Sequence, residues 1–190
     1  MIGYCFCGSF CTIGKSIAAM RSLAEEGNEI LPVMNDSVYS TDTRFATAES
    51  VRKAVSDICG KEIIHSIVEA EPLGPVTVLD MMVIAPCTGN TLAKLAAGIT
   101  DSPVTMAAKA HLRSGRPLVI ALATNDALSA NLKNIGTLLS RKGVYFVPMT
   151  QDDPEGKPSS LVCDFSRLKD TMVSAFAGRQ IQPVFLPPKK

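Results

Sequence analysis

Three short stretches carry the side chains able to do chemistry: Gly8-Ser9-Phe10-Cys11-Thr12, Ala85-Pro86-Cys87-Thr88-Gly89-Asn90-Thr91 and Thr124-Asn125-Asp126. Each puts hydroxyls or amides directly behind an apolar run that suits a buried strand. Where such a strand hands over to a helix, the first N–H groups of the helix are free to bind an anion, phosphate above all. The first stretch lacks the dinucleotide fingerprint, because Phe10 and Ile13 stand where G-x-G-x-x-G counted from Gly8 needs glycines. Its hydroxyls, Ser9 and Thr12, suit a terminal phosphate monoester better than a pyrophosphate gripped by backbone alone. The plainer alternative is that either one simply caps a helix.

Other candidates weigh less. In Asn35-Asp36-Ser37 an acid could hold a ribose hydroxyl, and the same triplet is ordinary turn chemistry. His65 could act as a general base or be a half-buried polar residue. Asp126 is a second candidate base, and no residue stands out as catalytic. Lys109 could meet a carboxylate but reads as solvated, and His111 and Arg113 complement a helix dipole. Cys5, Cys7 and Cys11 form C-x-C-x3-C without a second ligand cluster, so no metal is expected. Cys5 and Cys7 read instead as small hydrophobes on one strand face.

The elements that must position these residues alternate between strand and helix. Strands are expected over Ile2–Cys7, Glu29–Met34, Glu62–Val68, Val78–Ala85, Leu118–Ala123 and Val144–Val147. Helices are expected over Ile13–Glu26, Val51–Ile58, Leu92–Ala97, Pro103–Arg113 and Leu128–Arg141, and a last one runs from a Ser166 cap to Gly178. This β-α alternation predicts an α/β fold with a doubly wound, mainly parallel sheet of six strands. Ligands of such sheets sit at the carboxyl ends of the strands, where the three stretches fall. Residues 151–160 read as an exposed loop or lid, and 179–190 as an extended tail whose Val184-Phe185-Leu186 packs on another surface, such as a second subunit.

Composition narrows the function classes. The 190 residues suit one domain, 1–190, with 46% apolar and 19% charged residues. A net charge of +1 with no Trp and three Tyr gives no footprint for nucleic acid or an anionic membrane. No secretory signal or membrane-spanning run is apparent, and six cysteines read as free thiols in a reducing cytoplasm.

Together with Gly98-Ile99-Thr100-Asp101, the three stretches resemble the flavoprotein family, which includes flavin-containing cysteine decarboxylases and flavin prenyltransferases. The resemblance covers about Met1 to Met149. It implies a Rossmann-like fold, FMN at the strand carboxyl ends, and homo-oligomers, trimeric or larger, with the flavin at subunit contacts. Carried over by position, Gly8, Ser9, Phe10, Cys11 and Thr12 would surround the FMN phosphate, with Ser37 near the ribityl–phosphate region. Pro86, Cys87, Thr88 and Asn90 would lie beside the flavin, and Thr124 and Asn125 would face it from the fifth strand. Thr88, Asn90 and Asn125 would also meet substrate. The decarboxylases' P-x-M-N-x-x-M-W reads here Leu122-Ala123-Thr124-Asn125-Asp126-Ala127-Leu128-Ser129, so only the Asn survives. That departure argues against cysteine decarboxylation.

A narrower resemblance rests on the Pro86-Cys87-Thr88-Gly89-Asn90-Thr91 corner, the run Thr100 to Lys109, and Gln151-Asp152-Asp153-Pro154. It points to a branch of B-type subunits of a two-subunit oxidoreductase and extends over the whole chain. That resemblance implies an NADP-binding A subunit as partner and the mother cell of a sporulating bacterium as location. The pair would oxidise a dihydropyridine dicarboxylate to pyridine-2,6-dicarboxylate. The alternatives are a non-catalytic assembly partner of the A subunit and a stand-alone FMN-dependent decarboxylase or prenyltransferase.

Overall fold

The computed structural model describes residues 1–188. Its centre is a parallel sheet built from β1 (Ile2–Phe6), β2 (Ile30–Met34), β3 (Met81–Cys87), β4 (Leu118–Thr124) and β5 (Val144–Phe146). These run in the order β2-β1-β3-β4-β5, all parallel. Every residue of β1 and β3 is buried, as a central strand covered on both faces requires. Side chains alternate between two cores because successive Cβ atoms point to opposite faces. Tyr4 and Phe6 pack with α1 (Ile13–Glu25), α3 (Ala48–Cys59) and α8 (Leu168–Phe176). Cys5 and Cys7 face the other layer, α5 (Gly89–Ala97), α6 (Pro103–Leu112) and α7 (Leu132–Leu139), as small apolar side chains. Burial pushes the Cys7 thiol up to about 11, so it stays protonated.

The helix boundaries follow from local chemistry. Thr47 caps α3 by accepting from the Ser50 N–H, and Ser102 and Thr105 form a reciprocal capping pair ahead of Pro103 on α6. Gly60 and Gly98 end α3 and α5 in the left-handed region at φ 62° and 74°. Inside α1, Ser16 is wholly buried and donates to the Ala85 carbonyl at 2.5 Å, while Tyr4 donates to the Ser16 carbonyl at 3.0 Å. These bonds tie α1 to β1 and β3, so its start is fixed at the sheet edge.

The mainly parallel α/β sheet matches the expectation, with strands distributed differently. Glu62–Val68 is not a strand: Ile64 makes one isolated parallel bridge to Val33, and Ser66 caps the short α4 (Ile67–Ala70). Asn35-Asp36-Ser37 is no turn but the start of α2 (Asp36–Ser40). The long helix foreseen from Leu128 begins at Leu132, because Asp126 accepts the Ser129 and Asn131 N–H groups and holds the intervening chain in turns.

Beyond β5 the chain adds an antiparallel pair, β6 (Met149–Thr150) and β7 (Leu161–Cys163), and β7 docks on the last two residues of β4. Residues 151–160 are therefore the connection of a hairpin. The tail is used within the chain: Met149 donates to the Val184 carbonyl at 3.0 Å and Leu186 donates back to Met149 at 2.8 Å. Lys189 and Lys190 lie outside the described residues. Ser166 does not cap α8, since Asp164 caps a 3-10 turn, Phe165–Arg167, that precedes it. His111 is fully buried, with its backbone close to Gly74 and one ring nitrogen 3.0 Å from the Pro117 carbonyl. Burial lowers its pKa, which favours the neutral ring over a cation on the helix dipole.

Candidate functional site

The carboxyl ends of β1, β3 and β4 open into one cleft of about 680 Å³. Gly8, Ser9, Phe10, Cys11 and Thr12 line it from the β1–α1 corner, Thr88, Gly89 and Asn90 from the β3–α5 corner, and Thr124, Asn125 and Asp126 from the end of β4. Stretches far apart along the chain thus meet in space.

The two ends of the cleft differ. At the α1 end, the buried Thr12 donates its hydroxyl to both Ser9 O at 2.9 Å and Ser9 Oγ at 3.1 Å. Ser9 Oγ, accepting that bond, keeps its own proton free to donate into the cleft, and such chains strengthen the outward bond. Neither Ser9 nor Thr12 makes a side-chain cap bond to its helix. Gly8 passes tightly here: a Cβ on it would lie 3.0 Å from Ser37 Oγ and 3.4 Å from the Phe10 ring.

The α5 end is satisfied from within. Thr88 is the N-cap of α5, accepting from the Thr91 N–H at 3.2 Å. A Cβ on Gly89 would fall 2.6 Å from each of Asp126 Oδ1, Thr124 Oγ1 and Asn131 Nδ2. That carboxylate therefore sits against the positive end of α5, where an anion is favoured. It accepts from Thr124 Oγ1 at 2.5 Å and from Asn131 Nδ2 at 2.8 Å. Asp126 is thereby a structural acceptor rather than a free base. Asn90 and Asn125 are exposed at this end, and among the described residues their side-chain amides make no hydrogen bond.

Three expected residues do not reach the cleft. Ser37 touches Gly8 from behind and lines a neighbouring hollow with Asn35, His65 and Ser102. Pro86 and Cys87 are buried because β3 continues through a register shift between Ile84 and Cys87, carrying the strand past Ala85. Burial pushes the Cys87 thiol well above its ordinary range. His65 stacks on Tyr39 at 4.0 Å between ring centroids, and its Nδ1 lies 3.4 Å from Glu69. It is outside the cleft lining, and Lys109 is as well.

Two lining groups were not foreseen. Arg44 and Phe45 enter from the loop between α2 and α3, with the guanidinium 4.8 Å from the Phe45 ring centroid. Asp152, Lys157 and Ser160 enter from the β6–β7 connection. Lys157 Nζ pairs with Asp152 at 3.2 Å, and Ser160 donates to the same carboxylate at 2.7 Å. Burial pushes Asp152 upward, but the hydrogen bonds from Ser160 and Lys157 outweigh it and hold the carboxyl below its ordinary value. A polar Asp-Asp-Pro-Glu-Gly run resembles any surface loop, so only the β7–β4 pairing reveals that it faces the site. Among the described residues there is no group of three His, Cys, Asp or Glu placed to hold a metal, and no helix is long and apolar enough to cross a membrane.

Known proteins share both this fold and much of its sequence. Residues 2–176 match the family described as Flavoprotein. The B subunit of dipicolinate synthase from Bacillus subtilis (strain 168) is 46% identical over 185 residues, 97% of this chain and 92% of that protein. The crystal structure of the corresponding dipicolinate synthase chain from Bacillus halodurans superposes with a TM-score of 0.91 at 42% identity, covering 99% of this chain and 96% of that one. The FMN-dependent cysteine decarboxylase SpaF shares the fold, with a TM-score of 0.68 at 22% identity over 92% of this chain and 95% of that one. From its sequence, its parallel sheet and the corner geometry at the strand ends, this chain belongs to the flavoprotein family.

Proposed function

We propose that this chain is the B subunit of a dipicolinate synthase, binds FMN in the cleft, and works with an NADP-binding A subunit. The pair would oxidise dihydrodipicolinate to pyridine-2,6-dicarboxylate during sporulation, in the cytoplasm of the mother cell. The observation that carries this reading is the 46% identity to such a subunit, sustained over 97% of the chain.

The cleft supports the choice of ligand. Its volume of about 680 Å³ falls within the range of cofactor pockets. The α1 end offers what a phosphate monoester needs: the Ser9 hydroxyl, the N–H groups of Phe10 and Cys11 in the 3-10 turn that leads into α1, and close backbone approach at Gly8. The α5 end, whose helix terminus is already served by Asp126, offers neutral amides beside space for a ring. Gly8, Ser9, Phe10, Cys11 and Thr12 would surround the phosphate, while Thr88, Asn90, Thr124 and Asn125 would border the ring.

When bound, FMN supplies a planar group that can accept or return a hydride. This chain's own part is to bind and orient. Asn90 and Asn125 donate to the substrate carboxylates, with Thr88 held in place by its cap bond. Both carboxylates in the cleft are engaged, Asp126 with Thr124 and Asn131 and Asp152 with Lys157 and Ser160. The proton removed from the dihydropyridine therefore passes to a group outside this set. Exposed apolar side chains such as Val68, Val76 and Val173 suit contacts between copies of the chain, in keeping with a homo-oligomer.

The same engagement of both carboxylates favours one second reading, in which the chain is a non-catalytic assembly partner of the A subunit. The two readings separate in one assay. Product formation by the A subunit is followed with and without this chain, and with FMN supplied or stripped. Dependence on the FMN-loaded chain supports the first reading. Full activity of the A subunit alone, with this chain merely raising its stability, supports the second. A purified protein that is colourless and leaves the fluorescence of added FMN unchanged contradicts the cofactor assignment.

A further inference from the structure

Two cations stand at the α1 end of the cleft and belong to neither the strand-end corners nor the motifs. Arg44 comes from the loop between α2 and α3, and Lys157 from the β6–β7 connection. Phe45, beside Arg44, shares a small apolar hollow with Phe10 and Ile13, which fixes that loop against the start of α1. Among the described residues Arg44 has no carboxylate partner, and its guanidinium rests on the Phe45 ring. Lys157 is held by Asp152, which Ser160 anchors in turn, so its ammonium is steadied while donors remain free. Cys11, on the 3-10 turn ahead of α1, lines the cleft near Lys157.

We propose that Arg44 and Lys157 form a clamp over Ser9–Thr12 that makes the cleft select a phosphate monoester over the same ligand without its phosphate. The charges match. Arg44 and Lys157 contribute two positive charges and Asp152 one negative, and the start of α1 adds a partial positive charge toward a dianion. Ser9 supplies the neutral donor, and the two loops each supply a cation to the same cleft. The clamp rests on the reading that the cleft takes FMN.

FMN and riboflavin, which differ only by the phosphate, separate the two ideas. Both are titrated against the full-length protein by quenching of flavin fluorescence, for the natural chain and for Lys157→Gln, Arg44→Gln and Lys157→Arg. The clamp predicts that the natural chain prefers FMN and that each Gln variant loses about tenfold in FMN affinity, the scale of one charge-assisted hydrogen bond. Riboflavin affinity stays unchanged, Lys157→Arg keeps most of the preference, and added salt weakens FMN alone. FMN binding that is unaffected by both Gln variants overturns the clamp and leaves the flavin reading standing. Equal losses for both flavins also overturn it, because they mark a structural role for the loops. A natural chain that binds neither flavin overturns the flavin reading, and the clamp with it.

Discussion

The two helix starts that face the cleft are built from the same strand-to-helix corner and are put to opposite uses. At α5 the first residue, Gly89, is packed against Asp126, Thr124 and Asn131, so the chain answers the positive helix end with its own carboxylate. At α1 no acid sits in the first turn, Thr12 spends its hydroxyl on Ser9, and Arg44 and Lys157 stand nearby. A corner satisfied from within cannot gain by binding an anion, whereas an open one can. The cleft is polarised for that reason, and its polarity orients a ligand with one charged and one neutral end.

The largest expected effect comes from breaking the closed corner. Gly89→Ala places a Cβ 2.6 Å from Asp126 Oδ1, Thr124 Oγ1 and Asn131 Nδ2, and the latter two both donate to the Asp126 carboxylate. Overpacking there should cost about 3 kcal/mol and show as a clear fall in the denaturant midpoint. The corresponding change in the open corner, Gly14→Ala, meets no atom within 4 Å. It should be neutral or stabilising by about 0.5 kcal/mol through helix propensity. Equal destabilisation by both would remove the distinction between the corners.

The next effect sharpens the open corner. Ser9→Ala removes the hydroxyl polarised by Thr12 and should weaken FMN by about tenfold, with riboflavin unaffected. Flavin titration of the variant checks it, and the melting temperature should barely move because Ser9 makes no cap bond.

The smallest effect lies beneath neither corner. His111 is buried with Nδ1 unpartnered among the described residues, and burial lowers its pKa. At pH above the ordinary histidine value, about 6.5, the ring is neutral in both folded and unfolded chains and imposes no penalty. As pH falls below that value the unfolded chain binds the proton first, so stability declines until the lower folded-state pKa is passed. Thermal melts between about pH 7.5 and 5 should show stability falling toward acid, a drift that His111→Asn abolishes. Asp152, held below the ordinary carboxyl value, stays ionised across that window, so its grip on Lys157 should hold throughout.

The contrast between the corners was only half legible in the sequence. Ser9, Thr12, Thr88, Asn90 and Asn125 stand out because hydroxyls and amides at strand ends break apolar runs that are otherwise continuous. The β1, β3 and β4 core shows itself by length and apolarity alone. What Asp126 does is hidden, since its partners Thr124 and Asn131 meet Gly89 only across a tertiary contact. Cys87, expected beside the flavin, is buried because a register shift, invisible in a string of letters, carries β3 two residues past Ala85. The β6–β7 pair has strands of two and three residues, too short for any periodicity, and so 151–160 reads only as an exposed loop or lid, with no role for Lys157 or Asp152. Arg44 belongs to a polar segment brought to the cleft by Phe45 against Phe10 and Ile13, a contact between distant elements.

The polarity of the cleft is tested most directly by a crystal structure of the protein grown with FMN. The phosphate should lie against Ser9 and the start of α1, within reach of Arg44 and Lys157, with the ring beside Asn90 and Asn125. A flavin bound with its phosphate at Gly89 and Asp126, or seated in the hollow by His65, would contradict the division between the two corners.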